Sequence, residues 1–275
     1  VIYGGAAECW GYNNEGQLGN NSTSNSSYPV QVHGNNNSGM LAGVTQVSAG
    51  EYFSCAVAGG YAYCWGDNSY GQLGFDSANA SSHYPMEVWA YNGNGTQFQQ
   101  ATSVSAGSDS ACAVDSSGYA YCWGHNYFGQ LGNGVTSADK LQPVQVYASG
   151  TSPSGTLFTN AKTVSVGPSH ACAYVSFTTG TVIHIPHNDV YCWGYNDTGQ
   201  LGNGMLDDSS NPVSAIITIL GVTEVSAGSS DNDDNGVSCA MVSGSVECWG
   251  SNNYGQMGSP ALPTSVDPVA VIGLP

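Results

Sequence analysis

Short segments that alternate apolar and polar residues recur along the whole chain, separated by Gly, Asn, Ser and Pro. No stretch carries the 3.6-residue period of an amphipathic helix, so the pattern predicts an all-β protein built from many short strands. Within Cys55–Cys64 the pair Gly59-Gly60 stands at the midpoint and predicts a two-residue hairpin turn, where glycine supplies the positive φ such turns require. Counting outward from it places Cys55 opposite Cys64. Ser243-Gly244 does the same for Cys239 and Cys248, and Ser116-Ser117-Gly118 makes a three-residue turn for Cys112 and Cys122. Cys172 and Cys192 flank a longer excursion. Cross-strand neighbours lie within disulfide reach, so four cystines are expected. Reduced, buried cysteine is the competing reading, and the zinc-knuckle spacing is absent. Tyr61, Tyr63, Tyr119, Tyr121 and Tyr191 alternate along the hairpins and are expected to pack in the sheets.

The hairpins belong to a larger period. Cys-Trp-Gly recurs at Cys9, Cys64, Cys122, Cys192 and Cys248, each time followed by Gly-Gln-Leu-Gly from Gly16, Gly71, Gly129 and Gly199, or by Gly-Gln-Met-Gly from Gly255. Val-Ser-Ala-Gly precedes the hairpins at Val47, Val104 and Val225, with Val164-Ser-Val-Gly as a variant. The tryptophans Trp10, Trp65, Trp123, Trp193 and Trp249 are spaced by 55, 58, 70 and 56 residues. Self-similarity at this period predicts a solenoid or a propeller, and about four short strands per unit favour four-stranded propeller blades. The units run approximately 1–43, 44–101, 102–161, 162–221 and 222–275, the first and last incomplete, within one domain spanning 1–275. Trp and Leu or Met are expected to fill the space between blades, with the glutamine bonding backbone in its loop.

Trp-Gly-x-Asn-x-x-Gly-Gln-Leu-Gly, preceded by Val-Ser-Ala-Gly and Cys-Ala, resembles the regulator of chromosome condensation repeat. The likeness covers five copies and nearly all of the chain. It implies a β-propeller of a family that typically closes seven blades and includes nuclear exchange factors, secreted bacterial β-lactamase inhibitors and surface proteins. The paired cysteines point to its secreted prokaryotic branch. His170 keeps a histidine often found two residues before Cys-Ala, where Phe53 and Ser110 stand in other copies. With five visible units, three arrangements are open: an excerpt of a longer ring, a five-bladed ring with an imperfect seam, or an arc completed by a neighbouring chain.

Composition narrows function. Charged residues make up 8% of the 275, with two lysines, Lys140 and Lys162, no arginine, and a net charge of -17. Phosphate contacts need clustered Lys and Arg, so a nucleic-acid partner is excluded. The longest apolar run, near Ala215 to Val222, is too short to span a bilayer. Four cystines point to an extracellular or cell-surface location. Cys9 is left over. Gly4-Gly5 forms a matching turn, and the same counting puts the partner of Cys9 one position before Val1. That reads as an upstream segment or a bridge to something outside the chain, with a free thiol as the alternative.

Candidate chemistry is sparse. No cofactor is expected, apart from a calcium reading of Asp231, Asp233 and Asn235 with the Val237 carbonyl, where oxygen ligands alternate ahead of Gly236. The closing glutamate of such a loop is absent, and an acidic insertion without metal competes with it. Asp207-Asp208 is a weaker alternative. His184, His187 and Asp189 are expected at a solvated hairpin tip. Asn-x-Ser/Thr occurs at Asn20, Asn21, Asn25, Asn36, Asn79, Asn94 and Asn196 as glycan acceptors, with unmodified asparagine the competing reading. Tyr12, Tyr70, Tyr127, Tyr195 and Tyr254 lie in or beside the Asn-rich loops and are candidates for an aromatic contact surface.

No catalytic residue is nominated. The expectation is a secreted or surface module without catalysis, binding a protein partner or copies of itself, with head-to-tail assembly into a fibre as one form. The alternative is an inhibitor or receptor that works through its loop face. A polysaccharide-acting enzyme comes last.

Overall fold

Each cysteine-bearing segment folds into an antiparallel hairpin whose register follows from its turn. Gly59 and Gly60 adopt φ of 59° and 81°, and Ser243 and Gly244 adopt 51° and 85°, the paired positive values of a tight two-residue turn. Cys55 therefore faces Cys64, and Cys239 faces Cys248. Cys172 faces Cys192 across the longer hairpin. All four pairs are bonded, Cys112–Cys122 included, and Cys9 is the free cysteine.

This computed structural model describes residues 1–77, 80–90, 97–136, 138–151, 154–177, 187–217, 221–229, 236–260 and 263–273. The hairpins grow into antiparallel sheets whose strands follow chain order. Sheet 1 has three strands, Ile2–Tyr3, Ala6–Gly11 and Ser26–Gln31. Sheet 2 has four, Val44–Ala49, Phe53–Ala58, Tyr61–Gly66 and Ser82–Glu87. Sheet 3 comprises Ala101–Ala106, Ser110–Asp115, Ala120–Gly124 and Lys140–Gln145. Sheet 4 comprises Ala161–Val166, His170–Phe177, His187–Gly194 and Ser209–Ser214, and sheet 5 Val222–Ser229, Gly236–Val242, Ser245–Ser251 and Thr264–Ala270. A two-stranded ribbon, Tyr147–Ser149 with Thr156–Leu157, and one 3-10 turn, Asn35–Asn37, complete the inventory among the described residues.

The chain groups into two compact units, one of Val1–Ser116, Tyr121–Asn126 and Ala138–Val144, the other of Ser117–Ala120, Tyr127–Ser137 and Gln145–Pro275. In the first unit, first strands of successive sheets meet through side chains. The Val104 amide donates to Gln46 Oε1 at 2.8 Å and the Ala106 amide to Ser48 Oγ at 3.0 Å. In the second unit the Ala227 amide donates to Ser165 Oγ at 2.9 Å. Small residues of Val-Ser-Ala-Gly let these strands approach, and the serine hydroxyl satisfies the amide of the next strand.

The core lies between sheets. Trp65, Trp123, Trp193 and Trp249 are fully buried, as are Leu73, Leu131 and Leu201, with Met257 nearly so. Burying each indole is worth roughly 4–6 kcal/mol of apolar transfer before entropy is subtracted. Trp10 departs from the expectation for its set: it is 49% exposed. The motif around it is the same, so packing, not residue type, decides burial.

Candidate functional site

The loop of each repeat is built by one asparagine. In the fourth repeat, Asn196 Oδ1 accepts the Leu201 amide at 2.9 Å, while its Nδ2 donates to the carbonyls of Met205 and Asp207 at 3.0 and 3.1 Å. Asn13 repeats the plan, accepting from Leu18 and donating to Ser22 and Ser24 carbonyls. Asn68 and Asn252 accept from Leu73 and Met257. The glutamine of Gly-Gln-Leu-Gly turns its Oε1 back onto the amide two residues before it, at Glu15, Tyr70, Phe128, Thr198 and Tyr254. Both ends of the loop are thus tied by amide side chains, and the residues between them are presented from a fixed backbone.

Tyr70, Tyr127 and Tyr254 are among them, and Tyr12 and Tyr195 directly precede the loop asparagine. Tyr12, Tyr70, Tyr127 and Tyr254 are exposed, and Tyr195 is half-buried. In the first unit Tyr12 meets Tyr52 edge-on at 6.2 Å, and Tyr70 tilts over His125 at 4.7 Å. In the second unit Phe128 lies between Tyr127, at 4.9 Å, and Tyr195, at 4.6 Å. The structure groups the tyrosines in these small clusters and leaves Tyr254 without a ring neighbour among the described residues. Tyr52, His125 and Phe128 are ring partners that the sequence reading overlooked. The available signal was position: the residue before Gly-Gln-Leu-Gly stacks on the residue after Trp-Gly of the next repeat.

His125 also holds Asp139, Nδ1 to Oδ1 at 3.0 Å. Nearby Asp109 has its carboxyl held above the usual range, first by burial and then by Glu51, Asp67 and Asp139, while His125 pulls the other way. The Tyr52 phenol is raised by its hydrogen bond to Glu51 and by that charge. This part of the first unit is acidic and aromatic together.

A cleft of about 320 Å³ opens in the first unit beside Cys9, Trp10, Tyr12, Gln17, Glu51 and Cys55. Burial pushes the Cys9 thiol up. Gln17 is buried, yet its Nε2 finds no partner among the described residues. Gln130 Nε2 is in the same state, whereas Gln72 Nε2 donates to Asp67 and Gln256 Nε2 to Ser251. Tyr12 holds that place in the first repeat. In the second unit His170 is fully enclosed, with Nε2 2.9 Å from Ser238 Oγ and no partner for Nδ1 among the described residues.

Several expected sites take a different form. Asn196 is fully buried with its Nδ2 committed to two carbonyls, so a glycan cannot be attached there in the folded protein. Asn21 and Asn36 are exposed in left-handed turns. Asn25 is exposed but accepts the Asn13 amide, and half-buried Asn20 contacts Asn13 Nδ2. Asn79 and Asn94 lie outside the described residues. So do Asp231, Asp233 and Asn235. Val237 sits in a strand, paired with Gly228 and Gly250. Asp208 Oδ1 accepts the Asn196 amide at 2.8 Å, whereas Asp207 offers Asn196 Nδ2 its backbone carbonyl and is exposed. Among the described residues no group of three or more His, Cys, Asp or Glu side chains is placed to hold a metal, and no helix is long and apolar enough to cross a membrane. His184 is outside the described residues. His187 and Asp189 pair with Phe177 and Val175, so this hairpin's strands run through the expected tip.

Comparison with known proteins decides the family. The model described as Regulator of chromosome condensation (RCC1) repeat matches residues 9–57, 59–114, 117–174 and 187–230. The chain belongs to the RCC1 repeat family. Among curated RCC1-repeat relatives it is 30% identical over 216 residues to the Ultraviolet-B receptor UVR8 of Arabidopsis thaliana, covering 77% of this chain and 42% of that protein. It is 28% identical to the human probable E3 ubiquitin-protein ligase HERC3, covering 78% of this chain and 18% of the ligase. The chain thus spans less than half the length of these relatives. Among solved structures, human WBSCR16 superposes with a TM-score of 0.72 at 21% identity, over 96% of this chain and 62% of that one. Prp20p of Saccharomyces cerevisiae gives 0.72 at 17% identity, over 98% and 59%. The fold is therefore the RCC1-type β-propeller fold, with four-stranded sheets as its blades.

Proposed function

We propose that this RCC1-repeat chain is a secreted or cell-surface structural and interaction module without catalysis, whose partners are proteins, copies of itself included. The observation that carries the reading is the repeated loop. It is fixed at both ends by Asn and Gln amides and holds exposed rings such as Tyr70, Tyr127 and Tyr254 on rigid backbone. Rigid tyrosines bring contact area at low entropic cost. Four cystines support an oxidising compartment, because such bonds are rare where glutathione keeps thiols reduced. Propellers of the same fold point the same way: Prp20p binds Gsp1p and histones, and yeast RCC1 is bound by Kap60. The HERC relatives are named ligases, but this chain covers 5% of HERC2 and 18% of HERC3, so their activity is not carried over.

A more specific form is an inhibitor or receptor that captures one protein partner on its loops. The row Tyr127–Phe128–Tyr195 favours it, being an aromatic strip on one rigid loop system. The test is the protein exported through an oxidising compartment and cross-linked to proteins of its native medium. Recovery of a stoichiometric complex, lost in Tyr70→Ala and Tyr127→Ala, supports the reading. Turnover of a polysaccharide or ester that disappears with a single side-chain change overturns it.

A further inference from the structure

Among the described residues, Asn20, Asn21, Asn25, Asn36 and Asn196 each begin an Asn-x-Ser/Thr triplet, and hydrogen bonding separates them. Asn196 is buried with Nδ2 on two carbonyls. Asn20 Oδ1 lies 3.4 Å from Asn13 Nδ2, and Asn25 Oδ1 accepts the Asn13 amide at 2.8 Å, so both side chains are turned into the first-repeat loop. Asn21 and Asn36 differ. Both are exposed, and neither side chain has a hydrogen-bond partner among the described residues.

Asn21 fills a repeat position that carries no side chain in later copies. Its amide donates to the His83 carbonyl at 2.8 Å, as the Gly134 amide does to Ser210 and the Gly204 amide to Val266. All three residues have positive φ, at 56°, 78° and 76°. A Cβ at Gly134 would collide with the Gly150 carbonyl. Where those repeats place glycine, the first repeat places asparagine, a side chain that tolerates left-handed backbone, and leaves it in solvent. Asn36, at φ 53°, stands between two tethered neighbours. Asn35 Nδ2 donates to Glu87 Oε1 at 2.6 Å, and Asn37 Oδ1 lies 2.6 Å from His33 Nδ1. His83 and Glu87 belong to one outer strand, Ser82–Glu87, and are roughly 13 Å apart along it. There is room for a modification at each end.

We propose that Asn21 and Asn36 are the N-glycan acceptors among these five asparagines. Each Nδ2 attacks the anomeric carbon of an oligosaccharide carried on a lipid diphosphate. A C–N bond forms as the C–O bond to diphosphate breaks. The lipid diphosphate leaves with the electron pair and takes up the proton that the amide loses. Thr23 and Ser38, both exposed, supply the hydroxyl that each triplet requires. Glycans at these two points add hydrated bulk beside an outer strand of a chain in which only 8% of residues are charged. The inference rests on the secreted reading above, because the donor is met only on the export route.

The test takes the protein as its own host exports it. Proteolysis and electron-transfer fragmentation, which leaves sugars on their side chains, locates each glycan. The expected result is a glycan at Asn21 and at Asn36, with Asn20, Asn25 and Asn196 bare. Asn21→Gln and Asn36→Gln should each lower the intact mass by one glycan, while Asn25→Gln leaves it unchanged. Made without glycans, both glutamine variants should keep the thermal midpoint of the parent, since neither side chain holds another residue. Exported, cystine-bonded protein that is bare at either Asn21 or Asn36 overturns the inference and leaves the secreted reading standing. A glycan at Asn20, Asn25 or Asn196 overturns it too, because hydrogen bonding would then not select the acceptor. Protein confined to the cell with all nine cysteines reduced overturns the inference and the secreted reading together.

Discussion

His170 Nε2 lies 2.9 Å from Ser238 Oγ, and both residues are sealed from water in the second unit. Ser238 Oγ also donates to the Gln200 carbonyl, the same oxygen that receives the Trp249 indole. The hydroxyl hydrogen is thereby committed to Gln200, so the imidazole faces the serine oxygen as a neutral donor. A catalytic serine–histidine pair needs access, and His170 and Ser238 have none; Nδ1 also has no partner among the described residues. The pair is a structural bond between sheets 4 and 5.

It makes the fold sensitive to acid. Burial lowers the His170 pKa from 6.5 to about 4. The unfolded chain takes up a proton below about pH 6.5 that the folded one refuses until about pH 4, so stability falls as pH drops through that window. The full effect is about 3 kcal/mol. Asp109, Asp208 and Glu247, each raised first by burial, oppose it, because protonating them in acid relieves a burial penalty. Urea midpoints at pH 7 and 4.5 check the sign. His170→Phe, which copies the Phe53 of sheet 2, should flatten the acid limb. An unchanged limb would mean that His170 does not set the acid loss.

Asn196 should be among the costlier side chains to lose. Asn196→Ala strands a buried amide and two carbonyls at once, which costs about 2–4 kcal/mol. Asn196→Asp keeps the acceptor for Leu201 but loses both donors, and should fall between alanine and wild type. Thermal unfolding of the three proteins reads the order directly.

Trp10 and Trp249 occupy the same place in the repeat but should respond differently. Trp249→Ala empties a buried site and releases the Gln200 carbonyl, for a loss of about 3–5 kcal/mol. Trp10→Ala, measured on monomer at high dilution, should change stability by less than about 0.5 kcal/mol. Equal losses would mean that Trp10 is packed within the single chain.

The thiols should divide eight to one. Denatured, unreduced protein should show one reactive thiol, Cys9, and reduced protein nine. Because burial raises its pKa, native Cys9 should alkylate slowly at neutral pH and faster above about pH 9. Replacing Cys55 and Cys64 together by serine should cost about 3 kcal/mol by the loop-entropy model. Finding more than one thiol without reductant would count against an oxidising compartment.

The hairpins were legible because the turn residues carry the register in a few adjacent positions. Gly59-Gly60 and Ser243-Gly244 force positive φ, and everything within five residues follows by counting. The loop surface was legible only in part. Tyr70 stood out as an exposed loop tyrosine, but its partner His125 is fifty-five positions away and belongs to another repeat. Asn196 read as a glycan acceptor because Asn-x-Thr is a local pattern, while its burial is set by carbonyls up to eleven residues downstream.

By itself, the sequence determined the repeat, its strands, its cystines and the family, because each depends on residues close together or on a period copied five times. Tertiary structure alone decided which equivalent side chain is covered. The five Cys-Trp-Gly motifs are identical, yet four indoles are buried and Trp10 is half exposed. Burial belongs to what packs against a residue, here the Gly-Gln-Leu-Gly loop of a neighbouring repeat, and no local pattern encodes whether that neighbour is present.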